Sequence, residues 1–102
     1  MNARKKKKNM RTIKRVEIKA VFCNYIPREM KQGTIYISEE YEIANHICLC
    51  GCGVQCPTPI DEETGWSIIR NGDKITITPS ILNPICPNES HYIITNNIAN
   101  FV

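Results

Sequence analysis

The sequence predicts a mainly β fold, a small domain of hairpins with at most one or two short helices, and three observations carry that prediction. Apolar residues recur at every second position in several short runs, as in Val16, Ile18, Ala20 and Phe22, the period of a strand with one buried face. "WSIIRNGDKITIT" sets two such runs on either side of Asn71-Gly72, a pair that tolerates the positive φ of a tight hairpin. Prolines and glycines punctuate the rest of the chain, and no internal repeat is visible.

In chain order, residues 16–22 read as the first strand. "IPREMKQG" opens with a proline and ends at Gly33, consistent with one helical turn or a short helix closed by a C-terminal glycine. "TIYIS" reads as a second strand, and "EEYEIANH" as either a short helix or an extended approach to the cysteine-rich segment beyond it. "TPIDEETG" is a polar connection to the hairpin, whose second arm is expected to end at Pro79. "SILNPICPNES" then reads as a loop, and "HYIITNNIANFV" as a last hairpin turning at Asn96-Asn97, with the final apolar residues paired into the sheet.

Size and charge narrow the function classes. A chain of 102 residues is one domain, and its core is modest enough that a covalent or metal staple would help. The net charge of +3 comes mainly from Arg4, Lys5, Lys6, Lys7, Lys8, Arg11, Lys14 and Arg15. From Val16 onward acids outnumber bases, ten to five. Residues 1–12 are therefore expected to be a basic, disordered tail and 13–102 the β domain. Any nucleic-acid contact would lie in the tail, and nucleic acid is not expected as a partner. No signal peptide is recognisable, because Glu17 and Lys19 interrupt the only candidate apolar stretch. No run approaches a membrane span. A cytoplasmic protein with no membrane partner is the expectation.

"HICLCGCGVQCP", residues 46–57, holds one histidine and four cysteines. In a reducing compartment such clustered thiols bind metal more often than they form disulfides. His46, Cys48, Cys50 and Cys52 share one face of an extended chain, but a straight strand would space them ~6.6 Å apart, too far for one ion bonded at about 2.3 Å from sulfur. Gly51 and Gly53 permit the tight turn that gathers them into a knuckle. A second contribution is expected from "CPNESH", where Cys86 and His91 lie beyond the central hairpin. Zinc is the first choice for thiolate and imidazole ligands without redox chemistry, ahead of an iron–sulfur cluster. The preferred ligands are Cys48, Cys50, Cys52 and Cys86, with His46, His91 and Cys56 as rivals. The expected fold is thus a zinc-stapled β domain. Cys23, read as part of a strand, is taken as a buried small hydrophobe.

The segments "IPREMKQGTIYIS", "HICLCGCG", "TPI" with Trp66, "ITITPSILN" and "SHYII" occur in an order and spacing that resemble a bacterial family catalogued as a domain of unknown function and met beside E1-like, E2-like and ubiquitin-like genes. The resemblance covers about 85 residues. It departs from the common pattern after "PSI", where Leu82, Asn83 and Pro84 stand in place of Gly-Asn-Trp. The resemblance implies a small zinc-bearing β domain that processes or deconjugates a ubiquitin-like protein, with a serine-type peptidase centre. Its partners would be that protein and its E1/E2-like conjugation enzymes.

A serine hydrolase needs a hydroxyl, a base within hydrogen-bond reach and donors for the oxyanion. The available parts are Ser80, Ser90, His46 and His91. Ser90 and His91 are adjacent and face opposite ways in extended backbone, so the better pairs are Ser80 with His91 or Ser90 with His46. Asn83 or a backbone amide of "SILN" would serve as oxyanion donor. A metallohydrolase with three-ligand zinc is weaker, because several anionic sulfurs lower the Lewis acidity of the ion. The rival of another class is a non-catalytic, zinc-stabilised binding module or adaptor in a ubiquitin-like conjugation pathway, suggested by small size and the lack of an obvious triad acid.

Overall fold

A computed structural model of the protein describes residues 15–61, 63 and 65–102. The expected basic tail, 1–12, lies outside the described residues. Nine strands follow one another: β1 Arg15–Glu17, β2 Lys19–Phe22, β3 Thr34–Ser38, β4 Ile43–Asn45, β5 Thr58–Pro59, β6 Ser67–Asn71, β7 Lys74–Leu82, β8 His91–Thr95 and β9 Ile98–Phe101. They form a five-stranded sheet in the order β1-β9-β8-β7-β6 and a four-stranded sheet in the order β2-β3-β4-β5. The fold is all β, with no helix among the described residues.

The alternating stretch 16–22 is two strands rather than one. It breaks at Ile18, whose amide donates to Asn97 O at 2.9 Å. Before the break Val16 pairs with Ala99, and after it Ala20 pairs with Ile35, so the chain passes from one sheet to the other. Because β2 and β3 run parallel, the segment between them must travel back the length of a strand. Residues 24–33 do this with bends and turns instead of the expected helical turn, since so short a helix would not repay its nucleation. Gly33 still takes positive φ, 82°, and its carbonyl accepts Lys19 N at 2.9 Å. "EEYEIANH" holds no helix: Glu39–Glu42 form a turn, and Ile43–Asn45 are β4, paired with β3.

Apolar side chains from both sheets meet in one core, with Ile35, Ile37 and Ala44 from the smaller sheet and Ile75, Ile77, Ile81, Tyr92, Ile94 and Ala99 from the larger. Burial of each such isoleucine contributes about 1.5–3 kcal/mol. β3 is buried along its whole length, and its polar end is satisfied by a Ser38 Oγ bond to Asn24 O at 2.8 Å.

Both expected hairpins form in the five-stranded sheet. β8 and β9 are joined by Asn96 and Asn97, with φ of 46° and 65°, a type I′ pattern that matches the twist of the flanking strands. In the β6–β7 hairpin Asn71 pairs with Lys74, so the loop residues are Gly72 and Asp73, one position later than expected. Gly72 alone has positive φ there, 67°. Pro79 does not end β7. The strand runs on to Leu82, with a cis Thr78–Pro79 bond and a register shift between Ile77 and Ile81. A proline is tolerated at such a bulge because its missing N–H removes no ladder bond.

Candidate functional site

Residues 46–56 fold back on themselves. Ile47 and Gln55 form an antiparallel bridge, Cys56 N donates to His46 O at 2.8 Å, and Cys48 N donates to Val54 O at 2.8 Å. At the tip Gly51 and Gly53 adopt φ of 89° and 85°, which a side chain would strain. Cys86 comes from the turn after β7, where its amide donates to Asn83 O at 3.2 Å.

This brings the Sγ atoms of Cys48, Cys50, Cys52 and Cys86 within 4.8 Å of one another. The Cys48–Cys50 and Cys50–Cys86 separations are 3.5 Å, well beyond a disulfide bond of about 2.05 Å. They approach the ~3.8 Å edge of a tetrahedron of sulfurs bonded at about 2.3 Å. The four cysteines could therefore hold a metal ion. His46, His91 and Cys56 stand outside the group.

Donors aimed at two of the sulfurs, those of Cys50 and Cys86, favour their thiolate forms. Burial acts to raise the Cys86 thiol, but the Ser90 hydroxyl and the Ser90 and Asn88 amides outweigh it and bring the pKa down to about 6. Asn88 N lies 3.4 Å from Cys86 Sγ, and Asn88 Nδ2 lies 3.5 Å from Cys50 Sγ. The Cys50 thiol is likewise lowered: hydrogen bonds, Ser90 and Asn88 foremost, overcome desolvation. Burial pushes Cys52 up to about 12 and Cys56 up to about 11; a cation among the sulfurs would reverse the former. Cys23 lies just past β2 and is half-buried rather than fully so.

On the opposite face of β8 a second group assembles. Ile77 pairs with Ile94 and Ile81 with Tyr92, so Thr78, Pro79 and Ser80 together stand against Ile93. Such a bulge bends the strand and re-aims its side chains. Ile81 and Tyr92 point into the core, while their neighbours Ser80 and His91 point out. Because Leu82 is directly opposite His91, Ser80 is the diagonal neighbour of His91, close enough for a long side chain to span. Ser80 Oγ and His91 Nε2 are 2.7 Å apart. Trp66 Nε1 donates to Ser80 O at 3.2 Å and so steadies the bulge. Among the described residues no carboxylate bonds to the second ring nitrogen of His91.

The other expected pair is not brought together. Ser90 is buried, with Oγ 3.4 Å from Cys86 Sγ. His46 is fully buried and its Nε2 lies 2.6 Å from the Tyr92 hydroxyl. Burial lowers the His46 pKa to about 4, so its ring is neutral at pH 7. Its Nδ1 has no partner among the described residues. Asn83 is buried as well: its Oδ1 accepts Ile85 N at 3.3 Å, and its Nδ2 is buried without a partner among the described residues.

Sequence reasoning missed Tyr92 and the seating role of Trp66. Tyr92 could have been noticed as a tyrosine at an inward position of "HYIIT", since a buried tyrosine hydroxyl needs a polar partner.

No curated protein and no solved structure matches the chain. Among the described residues no helix is long and apolar enough to cross a membrane. A family model described as "Bacterial ubiquitination-like system serine protease (BubE)" matches residues 22–102, a span that holds the cysteine knuckle and both members of the Ser80–His91 pair, and the chain belongs to that family.

Proposed function

We propose that the protein is a serine-type peptidase or isopeptidase that processes or deconjugates a bacterial ubiquitin-like protein, with Ser80 as nucleophile and His91 as its base. The observation that carries this reading is the 2.7 Å contact between Ser80 Oγ and His91 Nε2 on the outer face of the sheet. That distance lies within the reach a nucleophile and its base require.

With Nε2 unprotonated, it takes the Ser80 proton as Oγ bonds to the carbonyl carbon of the substrate. The same proton passes to the leaving amine as the C–N bond breaks. Water then enters, loses a proton to Nε2 and bonds to the acyl carbon; the bond from that carbon to Oγ breaks as Nε2 returns the proton to Oγ, and the acyl group leaves as a carboxylic acid. Ser90 is excluded from the nucleophile role in this scheme because its hydroxyl is buried against Cys86.

The ion suited to Cys48, Cys50, Cys52 and Cys86 is zinc, held by four sulfurs in a closed structural site. It would tie the 46–56 knuckle to the turn after β7. Ser90 and Asn88, which already contact the Cys86 and Cys50 sulfurs, would orient those ligands.

The test uses the purified chain and a precursor of a bacterial ubiquitin-like protein. Shortened product is expected from wild type and from Ser90→Ala, and none from Ser80→Ala. Undiminished cleavage by Ser80→Ala would remove the serine assignment. Retention of the precursor on immobilised protein without its consumption would leave the binding-module reading in its place.

A further inference from the structure

The immediate surroundings of the Ser80–His91 pair are apolar and exposed. Leu82 stands directly opposite His91 on β7 and is 54% exposed. Ile93, two residues along β8 on the same face as His91, lies against the bulge that carries Ser80 and is 38% exposed. On the other side of β8, Val102 donates its amide to His91 O at 2.9 Å and is 69% exposed. Large apolar side chains left in water around a reactive pair carry a hydration cost that a ligand would remove.

Charge is missing from the same strands. β8 and β9 contain no Lys, Arg, Asp or Glu, and the only charged residue of β7 is Lys74, at its far end. Of the acids after Val16, Glu39, Glu40 and Glu42 lie in the β3–β4 turn, and the nearest to the pair along the chain, Glu89, stands in the turn before β8 rather than on a strand.

We propose that Leu82, Ile93 and Val102 are the specificity surface of the site, receiving an uncharged, apolar segment of the substrate polypeptide beside the scissile bond. The inference rests on the Ser80–His91 hydrolase reading and names the substrate class for it. Cross-strand neighbours have Cβ atoms about 5 Å apart, and attack needs the scissile carbonyl carbon about 3–3.5 Å from Oγ. Any chain seated there must therefore lie over Leu82 and Ile93. A charged side chain at that place would lose water against three apolar groups and find no opposite charge beside it on β7, β8 or β9; an apolar one buries surface on both sides.

The experiment digests a defined pool of unstructured peptides with the full chain and reads the cleavage sites by mass spectrometry. Wild type is expected to cut between or beside apolar residues about tenfold faster than beside acidic or basic ones, the discrimination one apolar contact supplies. Leu82→Glu and Ile93→Glu should bring that preference within about threefold and raise KM more than they lower kcat. Ile69→Glu, a change at an exposed apolar residue on β6 away from the pair, should keep the wild-type preference.

An unchanged preference in both glutamate variants overturns the proposal, and so does a wild-type preference for charged flanks. Labelling of wild-type Ser80 by a fluorophosphonate is read in parallel. A chain that neither labels nor cleaves removes the hydrolase reading itself, whereas a chain that labels and cleaves without the apolar bias removes only the specificity surface.

Discussion

His91 and Tyr92 are consecutive on β8, yet they serve opposite faces of the sheet: His91 Nε2 meets Ser80 Oγ at 2.7 Å outside, and the Tyr92 hydroxyl meets His46 Nε2 at 2.6 Å inside. The two histidines therefore sit in different media. One is half-exposed beside a hydroxyl; the other is fully buried against Tyr92.

Substitutions at the two histidines should accordingly separate activity from stability. His91→Ala is expected to lower kcat by about 10²–10⁴, the range a positioned base supplies, with little change in Tm. Steady-state kinetics on the precursor, alongside thermal melts, checks this.

Tyr92→Phe should do the reverse. It leaves the imidazole of His46, whose Nδ1 already lacks a partner, with both nitrogens unbonded in the core, at a cost of about 1–3 kcal/mol. Urea denaturation measures that cost.

His46 also makes stability depend on pH. Its native pKa is depressed to about 4 from an unfolded value near 6.5, so between those values the unfolded chain binds a proton that the native chain does not. Stability is then fully present above about pH 6.5 and falls as pH drops toward about 4, by roughly 3 kcal/mol in all. Thiolate protonation and metal loss act in the same direction. Comparison with His46→Gln isolates the histidine, because the variant should lose only the histidine part of the slope. Denaturation midpoints at several pH values supply the reading.

One zinc per chain is expected by metal analysis. Cys50→Ser and Cys86→Ser should each abolish it, while Cys23→Ala and Cys56→Ser keep it, since the latter two lie outside the 4.8 Å group. Zinc binding by such sites contributes about 10 kcal/mol or more to folding, so the metal-free variants should melt at markedly lower temperature. Melting curves with and without a chelator check the second half.

The β8–β9 turn offers a contrast between two neighbouring asparagines. Both hold positive φ, but Asn97 Oδ1 also accepts Ile75 N at 2.8 Å. Asn96→Gly should be neutral or stabilising by up to about 0.5–1 kcal/mol, because glycine adopts that φ without strain. Asn97→Ala should cost about 2 kcal/mol, since it combines the strain with an unsatisfied amide. Equilibrium unfolding of the two variants decides it.

Local chemistry made much of this molecule readable in advance. Asn96-Asn97 marks its turn because asparagine tolerates left-handed backbone, and Gly51 and Gly53 mark the knuckle for the same reason. Pro79 misled, although Ile75, Ile77 and Ile81 keep odd-numbered positions across it: a bulge that puts three residues against one adds two and preserves the period. The short run 26–33 misled in turn, because a proline and a terminal glycine suit a loop between parallel strands as well as a helix.

From the sequence alone came the β class, the soft-ligand cluster and the list of serines and histidines that chemistry could use. Only the tertiary structure decided how they are allocated: which four sulfurs meet, that Ser80 rather than Ser90 touches a histidine, and that His46 belongs to Tyr92. The reason is physical. Composition and spacing act over a few residues, whereas Cys86 reaches the knuckle, and His91 reaches Ser80, through cross-strand register that packing of the whole core determines.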